Sequence, residues 1–156
     1  MKLHIKEINE KLAIDILTWK YEPPYDFYNN EVNAEAIKEM LDTPYHIVAD
    51  QKGELVGFYC YGTSAQVPSG SQFGAYEEDF IDIGIGMNPH LTGKGNGSNF
   101  FSFILQHIQT SFPQKCIRLT VATFNKRAIH LYEKLGFEKQ IEFNSGQVEF
   151  MTMVLE

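Results

Sequence analysis

The sequence predicts a single mixed α/β domain spanning residues 1–156, with elements in the order β-α-α-β-β-β-α-β-α-β-β. Three observations carry this. A chain of 156 residues fills one hydrophobic core but not two. Apolar residues recur at helical spacing in some stretches and in short β-branched or aromatic runs in others. Neither internal repeats nor a linker separates them.

The first strand is read at Leu3 and Ile5. Asn9 then caps a helix whose apolar face is Leu12, Ile16 and Trp19, flanked by Ala13 and Leu17. Pro23-Pro24 ends it and opens an aromatic loop, Tyr21 through Tyr28. A second helix starts at Asn33 and runs to about Leu41, stopped by Asp42-Thr43-Pro44. Tyr45 to Ala49 and Leu55 to Tyr61, joined by Asp50-Gln51-Lys52-Gly53, read as a hairpin.

Residues 62–79 are polar and rich in Gly and Ser, so a long loop is expected there, of the kind that is functional or mobile. Phe80 to Met87 is the next strand, with Gly84 and Gly86 suiting a bulge or a close backbone approach by a ligand. Phe100, Phe101, Ile104, Leu105 and Ile108 mark the third helix, and Cys116 to Thr123 alternates as a strand. Asn125 caps a fourth helix with the face Ala128, Leu131, Tyr132 and Leu135, and Gly136 stops it. Phe137 to Phe143 and Val148 to Leu155 form a closing hairpin.

Composition narrows the function. A hydrophobic share of 44%, with 12 Phe and 8 Tyr, belongs to a folded rather than a disordered chain. A net charge of −7 argues against general nucleic-acid binding, which needs a basic stripe, and suits a cationic substrate such as an amine. Cys60 and Cys116 lie in separate apolar runs without nearby ligands, so two buried reduced thiols are expected, and no metal. No apolar core follows Met1-Lys2-Leu3-His4-Ile5-Lys6, and no run approaches the ~18 apolar residues of a membrane span. The expected location is cytoplasmic, without membrane or nucleic-acid partners, as a monomer or homodimer.

Two segments carry chemistry. The first is a strand followed by Asn88-Pro89-His90-Leu91-Thr92 and then Gly93-Lys94-Gly95-Asn96-Gly97-Ser98, opening a helix. Unpaired N–H groups and the macrodipole make a helix start attractive to anions, and glycine lets the backbone approach closely. By itself this is equally a packing turn. It is not a nucleotide P-loop, since no Gly-Lys-Ser/Thr follows a four-residue spacer. The second segment is Asn125 to Phe137, which by residue chemistry is a capped amphipathic helix with Tyr132 on its apolar face.

Together the two segments resemble the GCN5-related N-acetyltransferase (GNAT) family, with some likeness to its ribosomal-protein N-terminal acetyltransferases. Gly93-Lys94-Gly95-Asn96-Gly97, behind Met87-Asn88-Pro89, is similar to the family's Arg/Gln-x-x-Gly-x-Gly/Ala pyrophosphate turn. Asn125 to Phe137 fills every marked position of its Asn-x-x-Ala-x-x-Leu-Tyr-x-x-x-Gly-Phe segment. Thr92 stands where the family carries Arg or Gln, so pyrophosphate binding would lean on backbone N–H groups and Lys94.

The resemblance implies a mostly antiparallel sheet splayed between its fourth and fifth strands. It also implies direct transfer of acetyl from acetyl-CoA to a primary amine; the alternative is a non-catalytic acyl-CoA-binding module on the same fold. The acetyl-CoA site would comprise Ile85, Gly86, Met87, Thr92, Gly93, Lys94, Gly95, Asn96, Gly97, Ser98 and Asn125, with a strand N–H at 85–87 polarising the thioester. Tyr132 resembles the acid that protonates the departing thiolate. The base is sought among Glu77, Glu78, Asp79 and Asp82, with Asp82 first because a carboxylate in an apolar strand is costly without a purpose. Acceptor recognition falls to residues 21–28 and 62–79, and His46 and His130 are read as surface or core residues rather than catalytic ones.

Overall fold

Asn9 and Asn33 each open a helix by the same device. In extended conformation, Asn9 accepts a hydrogen bond from the Leu12 amide and Asn33 one from the Ala36 amide, satisfying donors that a helix start leaves orphaned. The resulting α2 (Ala34–Asp42) matches its expected limits to within about one residue, whereas α1 (Glu10–Leu17) stops before Trp19 and well short of Pro23-Pro24, its expected stop. The computed structural model describes residues 2–43 and 45–156. Met1 and Pro44, the latter part of the expected stop after α2, lie outside the described residues.

Contacts divide the chain into two compact units, Met1–Cys60 with Ile85–Asn99, and Tyr61–Gly84 with Phe100–Glu156. In the first, strand β1 (Leu3–Glu7) pairs antiparallel with β2 (Tyr45–Asp50), and β2 with β3 (Leu55–Tyr61). Ala13, Ile16 and Leu17 of α1, Met40 of α2 and Ile47 of β2 form its core, with Trp19, Tyr45 and Phe58 packed against it. The aromatic loop is not irregular throughout: Tyr25–Tyr28 is a 3-10 turn.

Strand β4 (Ile81–Met87) and helix α3 (Gly97–Ser111) each begin in one unit and end in the other. In the second unit, β4 runs parallel to β5 (Ile117–Ala122) through Ile81↔Ile117, Asp82↔Arg118 and Ile83↔Leu119. The hairpin strands β6 (Glu138–Ser145) and β7 (Val148–Leu155) pair antiparallel, and β7 pairs antiparallel with β5. Helix α4 (Lys126–Lys134) completes the expected order of elements among the described residues. Phe101 of α3 meets the rings of Tyr132 and Phe137 at 5.1 and 5.7 Å, an edge contact and a stack that join α3 to α4.

Residues 62–79 are more ordered than their polar composition suggests. They contain 3-10 turns at Thr63–Ala65 and Pro68–Phe73, and the Tyr76 hydroxyl bonds both the Val67 amide and Thr120 of β5. Cys60 is buried, but Cys116, expected to be buried too, is only partly so. No helix of the described residues is long and apolar enough to cross a membrane.

Candidate active site

In β4 the backbone alternates the edge to which its polar groups point. The Asp82 carbonyl accepts from Gly62, which follows β3, and the Asn88 amide donates to Val56 of β3. The Ile81 amide instead donates to the Cys116 carbonyl, just before β5. This two-residue period puts the N–H and C=O groups of Ile85 and Met87 on the edge away from β3, and those of Gly86 on the β3 edge. Gly86, expected among the cofactor-binding residues, therefore has its polar groups on the β3 edge. The close approach at Gly86 belongs to Phe58, since a Cβ there would sit 2.2 Å from the ring's Cε1.

Other bonds fix the end of the strand. The Tyr21 hydroxyl donates to the Met87 carbonyl at 2.8 Å, and burial pushes its phenol up to about 12, so it is a donor throughout the physiological range. The Asn88 side chain donates to the Leu55 carbonyl and accepts from the His90 amide.

The turn beyond is built for close approach. Thr92 donates its hydroxyl to the Pro89 carbonyl at 2.9 Å, and Asn96 donates to the Leu91 carbonyl at 3.2 Å. Both side chains therefore brace the turn. Gly93 and Gly95 have φ of 71° and 79°, while Lys94 between them, like every described non-glycine residue, does not. Such sign alternation turns successive amides toward one concavity, the geometry of an anion nest. A Cβ on Gly95 would meet nothing within 4 Å, so no protein atom crowds that side of the turn, and Lys94 is exposed beside it. Gly97 and Ser98 then form the first residues of α3. The turn thus fits a pyrophosphate.

In the second unit the carboxylates sort themselves. Asp82 is 3% exposed; its Oδ1 accepts from Arg118 Nε at 2.6 Å, and its Oδ2 from Arg118 Nη2 at 2.9 Å and Gln66 Nε2 at 2.8 Å. The Arg118 guanidinium also lies 5.2 Å from the ring centroids of Tyr76 and Phe80. Burial opposes its charge, but the bonds and charge of Asp82, then the charge of Glu78, outweigh that and hold its pKa above the ordinary value. Asp82 was the first-choice base. With both oxygens committed, it is instead the counter-ion of a buried arginine.

Asp79 pairs with Lys115, and Glu77 is exposed. Glu78 is different. Its side chain is 41% exposed, yet Oε1 accepts from Arg118 Nη1 at 3.2 Å and Oε2 from Gln140 Nε2 at 3.0 Å. A carboxylate open to solvent but held in place can still take a proton.

Asn125 caps α4 by accepting from the Ala128 amide at 3.2 Å, and Tyr132, 8% exposed, packs on Phe101 and Phe137. His130 is exposed, and His46 stacks on Tyr59 at 4.8 Å. Arg118 escaped the sequence reading. Its signal was its place as the lone charge in Cys116–Thr123, matching Asp82 as the lone charge in Phe80–Met87.

Strand β4 thus runs parallel to β5, and the glycine turn that follows it leads into helix α3. The chain belongs to the acetyltransferase (GNAT) family, whose model matches residues 11–137. It is 32% identical over 101 residues to the "Probable spermine N(1)-acetyltransferase" of Bacillus subtilis subsp. natto (strain BEST195). Over the same length it is 31% identical to the spermine/spermidine N(1)-acetyltransferase of Bacillus subtilis (strain 168). Both matches cover 62% of this chain and 62% of the relative. Among solved structures, a spermidine N-acetyltransferase chimera from Vibrio cholerae and hSSAT shares the fold. Its TM-score is 0.72 at 20% identity, covering 99% of this chain and 95% of that one.

Proposed function

We propose that the protein transfers the acetyl group of acetyl-CoA to a primary amine, with polyamines as the acceptor class, and that residues 1–156 act as one acetyltransferase domain. The observation that carries this is the glycine nest at 93–95 opening α3 in a member of the acetyltransferase family. The names of the curated relatives and the net charge of −7 support a polycationic acceptor.

Backbone amides of the Gly93–Gly97 turn and the start of α3 at Ser98 would hold the pyrophosphate, with Lys94 adding a charge and Thr92 and Asn96 bracing the loop. The N–H groups of Ile85 and Met87 are the candidates to polarise the thioester carbonyl. An oxyanion donor of that kind contributes roughly 10²–10³ in rate. Asn125 would bond the pantetheine arm while capping its helix.

An alkylammonium has a pKa of about 10.4, so the acceptor must lose a proton to attack. Glu78 takes it. The amine nitrogen bonds to the thioester carbon, the C–S bond breaks, and the sulfur takes the Tyr132 hydroxyl proton. The attacking nitrogen then gives its second proton to the Tyr132 oxygen, Glu78 releases its own to solvent, and the products are a neutral N-acetyl amine and the free thiol. The packing of the Tyr132 ring on Phe101 and Phe137 supports this role by restricting where its hydroxyl can point.

The test is release of free thiol from acetyl-CoA across polyamines, monoamines and peptide N-termini. Turnover with spermidine or spermine supports the reading. Measurable acetyl-CoA binding without turnover on any acceptor would instead make the protein a non-catalytic acyl-CoA-binding module.

A further inference from the structure

Exposed glutamates ordinarily sample several rotamers, because immobilising one costs side-chain entropy that water-screened contacts do not return. Glu78 departs from this. Arg118 Nη1 holds Oε1, and Arg118 Nη2 reaches the Glu78 backbone carbonyl at 3.3 Å, so one buried guanidinium fixes both the residue and its head group. The second oxygen is held from a different element, by Gln140 on strand β6.

Gln140 is there because β6 is irregular. The β6–β7 register runs Lys139↔Met153 and then Glu142↔Met151, so Gln140 and Ile141 together face the single residue Thr152. This is a β-bulge, which re-aims a side chain at the cost of an unpaired amide. That amide is cared for: Ile141 N donates to the hydroxyl of Thr152, a residue that is fully buried. A buried polar side chain serving one bulged amide marks the irregularity as part of the design.

We propose that Gln140 is a positioning residue for the acetyl-transfer reaction. The bulge at 140–141, supported by Thr152, presents the Gln140 amide to Glu78, holding the carboxylate oxygen that Arg118 does not and leaving the remaining lone pairs to receive the acceptor ammonium. The inference rests on the reading of Glu78 as the base. It adds a residue that lies outside both segments through which the chain resembles its family.

The test uses the full chain with acetyl-CoA and spermidine, comparing wild type, Gln140→Leu, Glu78→Gln and the double variant. Gln140 is exposed, so Gln140→Leu should keep the wild-type unfolding midpoint and the KM for acetyl-CoA. A hydrogen bond to a charged group is lost, so kcat/KM for the amine should fall about tenfold. In the Glu78→Gln background the same change should have almost no further effect, because the two residues act as one unit. Wild-type kcat/KM in Gln140→Leu, or an undiminished loss in the double variant, would overturn the proposal. An active wild type with an equally active Glu78→Gln would overturn the choice of base and this inference with it. Wild type inert toward every amine would refute the proposed function itself.

Discussion

Asp82 and Arg118 face each other across the parallel β4–β5 pair and bond through both carboxylate oxygens, at 2.6 and 2.9 Å, with almost no solvent access. Breaking such a pair leaves one buried charge uncompensated, which costs about 3–5 kcal/mol. Arg118→Met should therefore lower the urea midpoint steeply. Replacing Asp82 by Leu in the same chain should recover much of the loss, because an apolar pair of similar volume is tolerated. A single variant with wild-type stability would mean that the pair is not buried as described.

The Phe58 ring occupies the space where Gly86 has no side chain. A Cβ there would lie 2.2 Å from Cε1, so Gly86→Ala forces the ring or the strand to move. Overpacking of this kind costs about 1–3 kcal/mol. Thermal unfolding should show that loss, with part of it recovered in Gly86→Ala combined with Phe58→Leu.

Tyr21 links the aromatic loop to the end of β4 through the Met87 carbonyl, and its phenol titrates at about 12 instead of the usual 10.0. The folded state thus holds a proton that the unfolded chain releases earlier. The stability this confers is complete below pH 10 and is lost as pH rises through 12. Between those values the wild type should lose stability more steeply than Tyr21→Phe, measured by urea unfolding at stepped pH. Parallel curves would contradict the assignment.

The glycine turn gives a cleaner test of cofactor binding. Above Gly95 there is open space, so Gly95→Ala meets no protein atom and suffers only the cost of its positive φ, about 1–2 kcal/mol. Acetyl-CoA affinity by calorimetry should fall at least tenfold, far more than for Lys94→Ala, where a single exposed charge is removed. Undiminished binding in Gly95→Ala would place the pyrophosphate elsewhere.

Local physics made the elements legible. Asn9, Asn33 and Asn125 each cap a helix where their sequence context expects one, and all eleven regular elements appear in order. Long-range pairing was harder to see. Asp82 read as a base because a carboxylate in an apolar strand needs a reason; the reason is Arg118, thirty-six positions away in sequence. Nor does the sequence reveal that the Phe58 ring lies against Gly86. Gln140 carried no signal at all, since a bulge depends on the register between two strands and leaves no mark in either one alone.

The central claim is acetyl transfer from acetyl-CoA to a polyamine, and mass spectrometry of spermidine incubated with the protein and acetyl-CoA tests it most directly. The expected result is spermidine carrying one added acetyl group, formed with the wild type. With Tyr132→Phe the rate should be about 10²–10⁴-fold lower, the range typical for loss of a positioned acid, while acetyl-CoA binding is retained. Unmodified spermidine in the presence of bound acetyl-CoA, or full activity in Tyr132→Phe, would contradict the account.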